Sequence, residues 1–284
     1  MGARTILSMA KDEGPFLLHW IAHHRLIGFD RIIVFTNDCS DETDAMLERL
    51  EAMGEVLHFR NPVEPGGKPQ PRALRAAEKL WELTDSAWIL TLDIDEYVNV
   101  KVGDGSLDAL FATAPEADGF ALTWRMMGSA GRVDWTDIPV TEAYPMGAPD
   151  LARRGWGVKT LFQPFDRFKL GIHRPTVKGP DKSALADRAW VNGSAKPMTT
   201  AFKTWMWNCT RATLGYQVAE IAHYATQSQE AYLRRAARGN VNAKPNKYTP
   251  TYYAIFDRNE EMHAGLLRHA QATRAWVAGY LAAP

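Results

Sequence analysis

The chain has 284 residues, of which 46% are hydrophobic, and its 33 basic and 33 acidic side chains give a formal net charge of zero. This length and apolar content suit one large folded domain. The balanced charge argues against nucleic acid as the main partner, because proteins that bind the phosphate backbone usually carry a clear basic excess. Cys39 and Cys209 are too few for a disulfide framework, so we expect reduced thiols.

The N-terminal apolar segment is too short and too soon interrupted for a signal peptide. No apolar run reaches the length that is needed to cross a bilayer. We therefore expect a cytoplasmic protein, with peripheral contact at the inner face of the membrane left open. The sequence does not indicate an oligomeric state.

Strand and helix patterns alternate through the first hundred residues. We predict strands at 5–9, 31–35, 55–59 and 87–92, and helices at 13–26, 42–53 and 72–83. Such alternation implies right-handed crossovers and a mostly parallel sheet, that is, an α/β fold. In such sheets ligands bind beyond the carboxyl ends of the strands. Acidic residues follow three of the predicted strands: Asp12 and Glu13, then Asp38, then Asp93 and Asp95.

The second half of the chain is less regular. We predict strands at 118–124 and 158–163, a helix at 229–238 and a long C-terminal helix at 258–281, separated by loop-rich stretches. Nothing in this pattern divides the chain into independent units. We therefore predict a single domain over residues 1–284, in which the second half completes the sheet.

Asp93 and Asp95 follow an apolar strand in the segment Trp-Ile-Leu-Thr-Leu-Asp-Ile-Asp-Glu-Tyr. Residues i and i+2 of an extended chain point to the same side, so both carboxylates are predicted to face one cation, or one a cation and the other a ribose. Magnesium and manganese prefer such oxygen ligands and would neutralise a diphosphate leaving group. The alternative is a solvated loop in which an aspartate caps the next turn.

His223 lies between an apolar run and the helix that Ser228 is predicted to cap. A neutral imidazole is a suitable ligand for a manganese-like ion, so we predict that His223 shares the metal site with Asp93 and Asp95. A zinc site is not predicted at His19, His23 and His24, because their spacing lacks the zinc-protease glutamate.

Several blocks together resemble bacterial family 2-like glycosyltransferases, a group similar to the family 92 glycosyltransferases. These blocks cover residues 11–30, 37–43, 92–97, 158–162 and 223–239. The resemblance implies a GT-A type (Rossmann-like) fold with a mostly parallel sheet flanked by helices. It also implies a nucleotide-diphosphate-sugar donor, with UDP-sugars favoured, a manganese or magnesium ion, and a glycan or lipid-linked acceptor.

The same resemblance implies roles for individual residues. It puts Asp95 and His223 on the metal, Asp93 near the ribose or the metal, Glu13 and Asp38 near the nucleoside, and Lys159 near the donor or acceptor pocket. Residues 1–100 would form the nucleotide-sugar-binding half, and residues 101–284 the acceptor side with its C-terminal helices. Two positions depart from the usual pattern, which has Asn in place of Asp12 and Glu in place of His19.

Three further groups of residues are weaker candidates. A transferase that inverts the sugar needs a general base, for which Asp134 is our candidate, with Asp137 and Asp150 as alternatives. Each of the three aspartates could instead be an ordinary solvated loop residue. Either stacking on a sugar or ordinary core packing would explain the tryptophans at 124, 135, 156, 205 and 207. The last two alternate in the sequence, so both could face the same side of a strand. A basic cluster is formed by Arg234, Arg235, Arg238, Lys244 and Lys247. It could bind a diphosphate, an acidic acceptor or a membrane surface, or it could be a solvated helix face.

Two other functions compete with the transferase. In an Asp-x-Asp phosphohydrolase Asp93 would be the nucleophile and Asp95 the acid/base, but the motif follows the fourth strand, and Tyr97 stands where Thr or Val is expected. A non-catalytic nucleotide-sugar-binding protein on the same fold would share the binding residues. A P-loop is disfavoured, because no such motif is present.

Overall fold

A computed structural model describes residues 2–64, 66–152, 154–239 and 246–283. In the first part of the chain, the strands are β1 (Ala3–Ala10), β2 (Arg31–Thr36), β3 (Leu57–Arg60), β4 (Ser86–Thr91) and β5 (Glu96–Val100). The helices there are α1 (Gly14–Leu26), α2 (Thr43–Ala52), α3 (Pro69–Ala77), α4 (Trp81–Thr84) and α5 (Leu107–Ala112).

The second part contains longer connections between its elements. Its strands are β6 (Gly119–Met126), β7 (Met146–Gly147), β8 (Val158–Phe162), β9 (Phe168–Lys169), β10 (Thr176–Val177), β11 (Trp190–Asn192), β12 (Ala219–His223) and β13 (Glu261–Met262). Its helices are α6 (Val140–Ala143), α7 (Ser183–Ala186), α8 (Thr200–Thr204), α9 (Gln229–Arg238), α10 (Pro250–Phe256), a 3₁₀ helix (Ala264–His269) and α11 (Ala270–Ala282).

One mixed sheet organises the fold, in the strand order β3-β2-β1-β4-β8-β6-β12-β5, with β11 also paired to β6. Strand β1 is parallel to β2 and β4, β2 is parallel to β3, and β6 is parallel to β11 and β12. Strand β8 is antiparallel to β4 and β6, and β5 is antiparallel to β12. The predicted α/β class with a mostly parallel sheet flanked by helices is confirmed.

These pairings bring the ends of distant strands to one edge. Because β4 and β6 are both antiparallel to β8, they point the same way, and β12 follows β6. The carboxyl ends of β1, β2, β4, β6 and β12 therefore share an edge with the beginning of β8. This is the edge at which open α/β sheets bind their ligands.

Helices cover both faces of the sheet. Ile6 of β1 packs in the same core cluster as Leu17 and Trp20 of α1, whereas Leu7 packs with Leu74 of α3. Successive side chains of a strand point to opposite faces, so a strand that is covered on both sides must be apolar along its whole length. This explains why the central strands are continuous apolar runs in the sequence.

Side chains of α1 cover the edge strand β5. The indole Nε1 of Trp20 donates to the Glu96 carbonyl at 2.8 Å, and Nε2 of His23 donates to the Val98 carbonyl at 2.9 Å. Nε2 of His24 accepts from the Val98 N–H at 3.3 Å. An uncovered edge would leave these backbone groups available to another strand, so the two histidines have a structural role.

Two predicted helices differ from the structure. The helix predicted at 72–83 is divided into α3 and α4, because the N–H groups of Lys79 and Leu80 bond to carbonyls three residues back and end α3 in a tight turn. The long helix predicted at 258–281 is replaced by β13, the 3₁₀ helix and α11. Residues 261–262 form β13 because they pair with β7, and helical periodicity within the local sequence does not predict this distant pairing.

Cys39 and Cys209 are both free. Among the described residues, no helix combines the length and apolar character that spanning a membrane requires.

Candidate active site

A cleft of about 210 Å³ opens at the carboxyl edge of the sheet. We call it the edge cleft, and its walls include Lys11, Glu13, Asn37, Asp93, Asp95, Trp124, His223, Arg238, Lys247 and Tyr248. These residues come from the loops after β1, β2 and β4, from β6 and β12, and from the described chain on either side of residues 240–245. Four of the residues predicted for the site, Glu13, Asp93, Asp95 and His223, therefore lie in one cleft.

The segment Asp93-Ile94-Asp95 forms a turn between β4 and β5, so the prediction of an extended chain at these residues is wrong. The Glu96 N–H donates to the Asp93 carbonyl at 3.1 Å and closes this turn. The Tyr224 N–H donates to the Asp95 carbonyl at 2.8 Å and ties the turn to the end of β12. As a result, the two carboxylates contact different cationic side chains.

Asp93 is held from behind by Lys159 of β8. The Lys159 ammonium is fully buried and lies 3.0 Å from Oδ2 of Asp93 and 3.1 Å from Oε2 of Glu96. Burial alone would lower the pKa of Lys159, but the two acids outweigh it and raise that pKa, so the ammonium stays charged. Burial raises the pKa of Glu96 to about 7, against the opposing effect of Lys159. Lys159 thus holds the turn in place through its ion pairs with Asp93 and Glu96, and Asp93 lies between it and the solvent.

Asp95 faces the cleft between an arginine and a histidine. Its Oδ2 lies 3.0 Å from Nη1 of Arg235 and 3.6 Å from Nε2 of His223. Burial alone would raise the pKa of Asp95, but Arg235 and His223 outweigh it and hold that pKa below its ordinary value. The Trp124 ring packs against the His223 ring with centroids 4.7 Å apart. Asp95 is therefore an ionised carboxylate beside a positioned imidazole.

Asp95 and His223 have the donor types that suit a manganese-like ion, which accepts both carboxylate oxygen and imidazole nitrogen. Within the described residues, the ligand atoms of Asp93, Asp95 and His223 are not all within 4.8 Å of one another. The predicted ligands are thus present as the pair Asp95 and His223, with Asp93 beside it and bonded to Lys159. Residues present in the cleft fit one divalent cation at that pair.

A different trio brings its ligand atoms within 4.8 Å, namely Asp12, Cys39 and Asp41. Oδ1 of Asp12 already accepts from the backbone N–H of Ser40 at 2.6 Å and from that of Asp41 at 3.3 Å. Burial raises the pKa of the Cys39 thiol to about 11, which keeps it from acting as a thiolate at neutral pH. The trio is therefore explained by the bonding within its own loops.

The two residues that were expected near the nucleoside have different surroundings. Glu13 is buried, with Oε1 2.7 Å from Nη1 of Arg238 and Oε2 3.7 Å from Nη2 of Arg235. Its burial raises the pKa of this carboxyl, which the two arginines counteract. Asp38 is exposed, with its φ of 49° in the left-handed region, and it is Asn37 that lines the edge cleft at this point.

The basic cluster is divided by the helix that carries most of it. Arg235 and Arg238 of α9 face the acids of the cleft, whereas Arg234 points outward and pairs with Glu230 at 2.7 Å. Lys247 lines the edge cleft. Lys244 lies outside the described residues. Spacing alone identified these cations but not which of them would face inward.

The candidate bases lie outside the cleft lining. Asp134 is exposed on the loop before Trp135. Asp137 is 4.0 Å from Nε2 of His19, and Asp150 accepts from Nη2 of Arg125 at 2.6 Å. The assignment of Asp134 as the general base stays a prediction.

One feature of the site, Glu96, was missed from the sequence, and one expectation about its tryptophans is wrong. Glu96 directly follows the Asp-x-Asp pattern, and its charged neighbour at Lys159 is 63 positions away in the numbering (159 − 96). An acid at the start of the apolar run Glu-Tyr-Val-Asn-Val is a signal that was available. Trp205 and Trp207 were expected to alternate along a strand, which is wrong, because α8 ends at Thr204 and Trp205 is its cap.

No family model matches the chain. The chain is 29% identical over 110 residues to a glycosyltransferase family 92 protein of Ricinus communis. That match covers 37% of this chain but only 18% of the relative, so it spans less than a fifth of the relative's length. The resemblance to family 92 glycosyltransferases is confirmed over that stretch.

Two solved structures share weaker similarity with the chain. TarS 1-349 of S. aureus is 16% identical, with a TM-score of 0.34, over 57% of this chain and 47% of that one. Glucosyl-3-phosphoglycerate synthase of Mycobacterium tuberculosis, in complex with Mn²⁺, UDP and glucosyl-3-phosphoglycerate, is 15% identical, with a TM-score of 0.31, over 57% of each chain. At this distance, function has to be inferred from the residues of the edge cleft themselves.

Proposed function

We propose that this protein is a metal-dependent glycosyltransferase of GT-A type that moves a sugar from a nucleotide-diphosphate donor to a hydroxyl of a glycan or lipid-linked acceptor. A UDP-sugar is the favoured donor. The observation that carries the proposal is the approach of Asp95 and His223 to 3.6 Å in the edge cleft, although Asp95 follows β4 and His223 is the last residue of β12. The local match to a family 92 protein supports the same conclusion.

The charges around this pair suit a diphosphate. Lys11, Arg238 and Lys247 line the same cleft, and guanidinium and ammonium groups bind phosphate oxygens through charge-assisted hydrogen bonds. A divalent cation at Asp95 and His223 would neutralise the diphosphate and favour its departure. Arg235 holds the Asp95 carboxylate in place by donating from Nη1 to Oδ2 at 3.0 Å.

The transfer itself has a simple balance of bonds. The acceptor oxygen forms a bond to the anomeric carbon, and the bond from that carbon to the phosphate oxygen breaks, with its electron pair leaving on the nucleoside diphosphate. The acceptor proton passes to a base, for which Asp134 remains the candidate.

The donor site can be tested by thermal unfolding of the full chain with UDP, GDP and CDP, with and without manganese. A ligand that binds only the folded state at a hundred times its dissociation constant stabilises it by about 2.7 kcal/mol. We expect a manganese-dependent rise with UDP that is lost in Asp95→Asn and kept in Asp187→Asn, a matched change at an exposed residue outside the cleft. An equal rise in Asp95→Asn would remove that residue from the site.

A second measurement separates the competing functions. Release of UDP from UDP-sugars indicates a transferase, whereas release of phosphate from phosphate esters with magnesium, without any nucleotide binding, indicates the phosphohydrolase. Binding of UDP-sugars with no turnover across an acceptor panel would favour the non-catalytic protein. Asp134→Asn is expected to keep the UDP-induced rise and to lose turnover if Asp134 is the base.

A further inference from the structure

A second cavity, of about 350 Å³, adjoins the edge cleft. Trp124 and His223 line both spaces, so an occupant of the second cavity would reach the first beside the proposed metal ligands. Four more aromatic side chains line it: Trp156, Trp207, Tyr252 and Phe256. We call this space the aromatic cavity.

A continuous row of rings holds the exposed wall of the aromatic cavity. The Trp207 ring lies over the His173 ring with centroids 4.6 Å apart, and His173 packs against Trp124 at 5.4 Å. Trp124 then contacts His223 at 4.7 Å. Trp207 is therefore supported on one face while 50% of its surface remains exposed. A large ring that is fixed but uncovered is a preformed surface for a ligand with an apolar face.

Glycines bring the opposite wall close to Trp124. A Cβ on Gly157 would come within 2.4 Å of the Trp124 ring, and a Cβ on Gly155 would come within 2.5 Å of the Met126 side chain. Gly155 also has a φ of 90°, which other residues rarely adopt. The segment that carries Trp156 can approach the sheet only because both of its neighbours lack a side chain.

The polar groups of the aromatic cavity restrict its occupant. Arg154, Asn208 and His223 line it, and no described carboxylate does so. An ammonium group would find no partner of opposite charge there, whereas hydroxyl and carboxylate groups would find donors. Aromatic walls with a few polar groups are also the usual composition of small-ligand pockets.

We propose that the aromatic cavity is the acceptor subsite and that it binds a pyranose ring of a neutral or acidic saccharide. The inference rests on the proposed function and adds to it the chemical class of the acceptor. The apolar face of the sugar packs on Trp207, and its reacting hydroxyl lies toward Trp124 and His223, where the two spaces meet.

The chain offers a matched pair of variants for the test. Trp207 lines the aromatic cavity, whereas Trp205, two residues earlier, is 71% exposed and does not. Trp207→Ala is therefore compared with Trp205→Ala, and Trp207→Phe restores a ring. Thermal midpoints and circular dichroism establish that each variant folds.

The probes are cellobiose, digalacturonic acid and the cationic disaccharide of glucosamine. Their binding is measured by saturation-transfer NMR in the presence of UDP and manganese. UDP binding is measured on the same samples. We expect wild type to bind the neutral or the acidic disaccharide, Trp207→Ala to lose at least tenfold in that affinity, and Trp207→Phe to recover part of it. Trp205→Ala should match wild type, the cationic disaccharide should bind most weakly, and UDP affinity should not change in any variant.

Several results would overturn the inference. These are no disaccharide binding by wild type, equal binding by Trp207→Ala, or a loss of UDP affinity in Trp207→Ala, which would indicate that the cavity holds the nucleobase. If wild type does not bind UDP but its disaccharide binding still depends on Trp207, the saccharide site stands and the transferase proposal fails.

Discussion

Replacing Lys159 by methionine would remove the buried cation that pairs with both Asp93 and Glu96. Lys159 and Glu96 are both fully buried, while Asp93 keeps some contact with solvent. Methionine has a similar length and no charge, so the variant leaves the two acids facing each other across an apolar side chain. We expect Lys159→Met to destabilise the fold mainly through these two acids and only slightly through lost packing.

The structure sets the size of this effect. At the observed 3.0 and 3.1 Å, each ion pair is worth about 5 kcal/mol with an effective dielectric constant of about 20, before desolvation is subtracted. Removing one partner of a buried pair typically costs about 3–5 kcal/mol. Glu96 can relieve part of this cost by taking up a proton, because burial has already raised its pKa to about 7.

A double-mutant cycle in urea at pH 8 measures the coupling. We expect Lys159→Met to lose about 3–5 kcal/mol, and the double variant Lys159→Met/Glu96→Gln to recover about 2 kcal/mol of it, since an amide needs no counter-ion. Lowering the pH to 6 should help the single variant more than the double one. Additive free energies, or a loss under 1 kcal/mol, would refute the role given to Lys159.

Two further predictions concern stability and the frame of the site. Burial lowers the pKa of His23 from 6.5 to about 4, so the unfolded chain takes up a proton at a higher pH than the folded chain does. As the pH falls from 6.5 to 4, this difference alone should lower the free energy of unfolding by about 3 kcal/mol. Urea midpoints across that range should fall less steeply in His23→Gln, and an unchanged slope would contradict the assignment. Ser228 caps α9 by accepting from the Ala231 N–H at 3.2 Å, as Ser106 caps α5 through Ala109 at the same distance. Each Ser→Ala change should lower the free energy of unfolding by about 1 kcal/mol. Only Ser228→Ala should weaken UDP binding in a calorimetric titration, because α9 carries Arg235 and Arg238. Equal UDP affinity in both variants would argue against a role for α9.

The first half of the fold was predictable because its signals are local. Continuous apolar runs predicted β1, β2 and β4, since strands covered on both faces leave no polar alternation. The helix at 229–238 and its Ser228 cap were also predicted, because a cap and an apolar face lie within a few residues of each other. Short elements without such signals, among them β5 and β12, were not predicted.

The sequence by itself determined that acids follow the carboxyl ends of parallel strands and that His223 lies shortly before a helix capped by Ser228, although His223 is the last residue of β12 and not part of the loop. It could not determine their partners, because these depend on which distant strands become neighbours. Asp93 meets Lys159 across 66 residues, and Asp95 meets Arg235 across 140. Only the placement of β8 between β4 and β6, and of β12 beside β6, decides these pairs. The same placement moves the Asp-x-Asp segment from an extended strand into a turn, since the chain must reverse there to begin β5 next to β12.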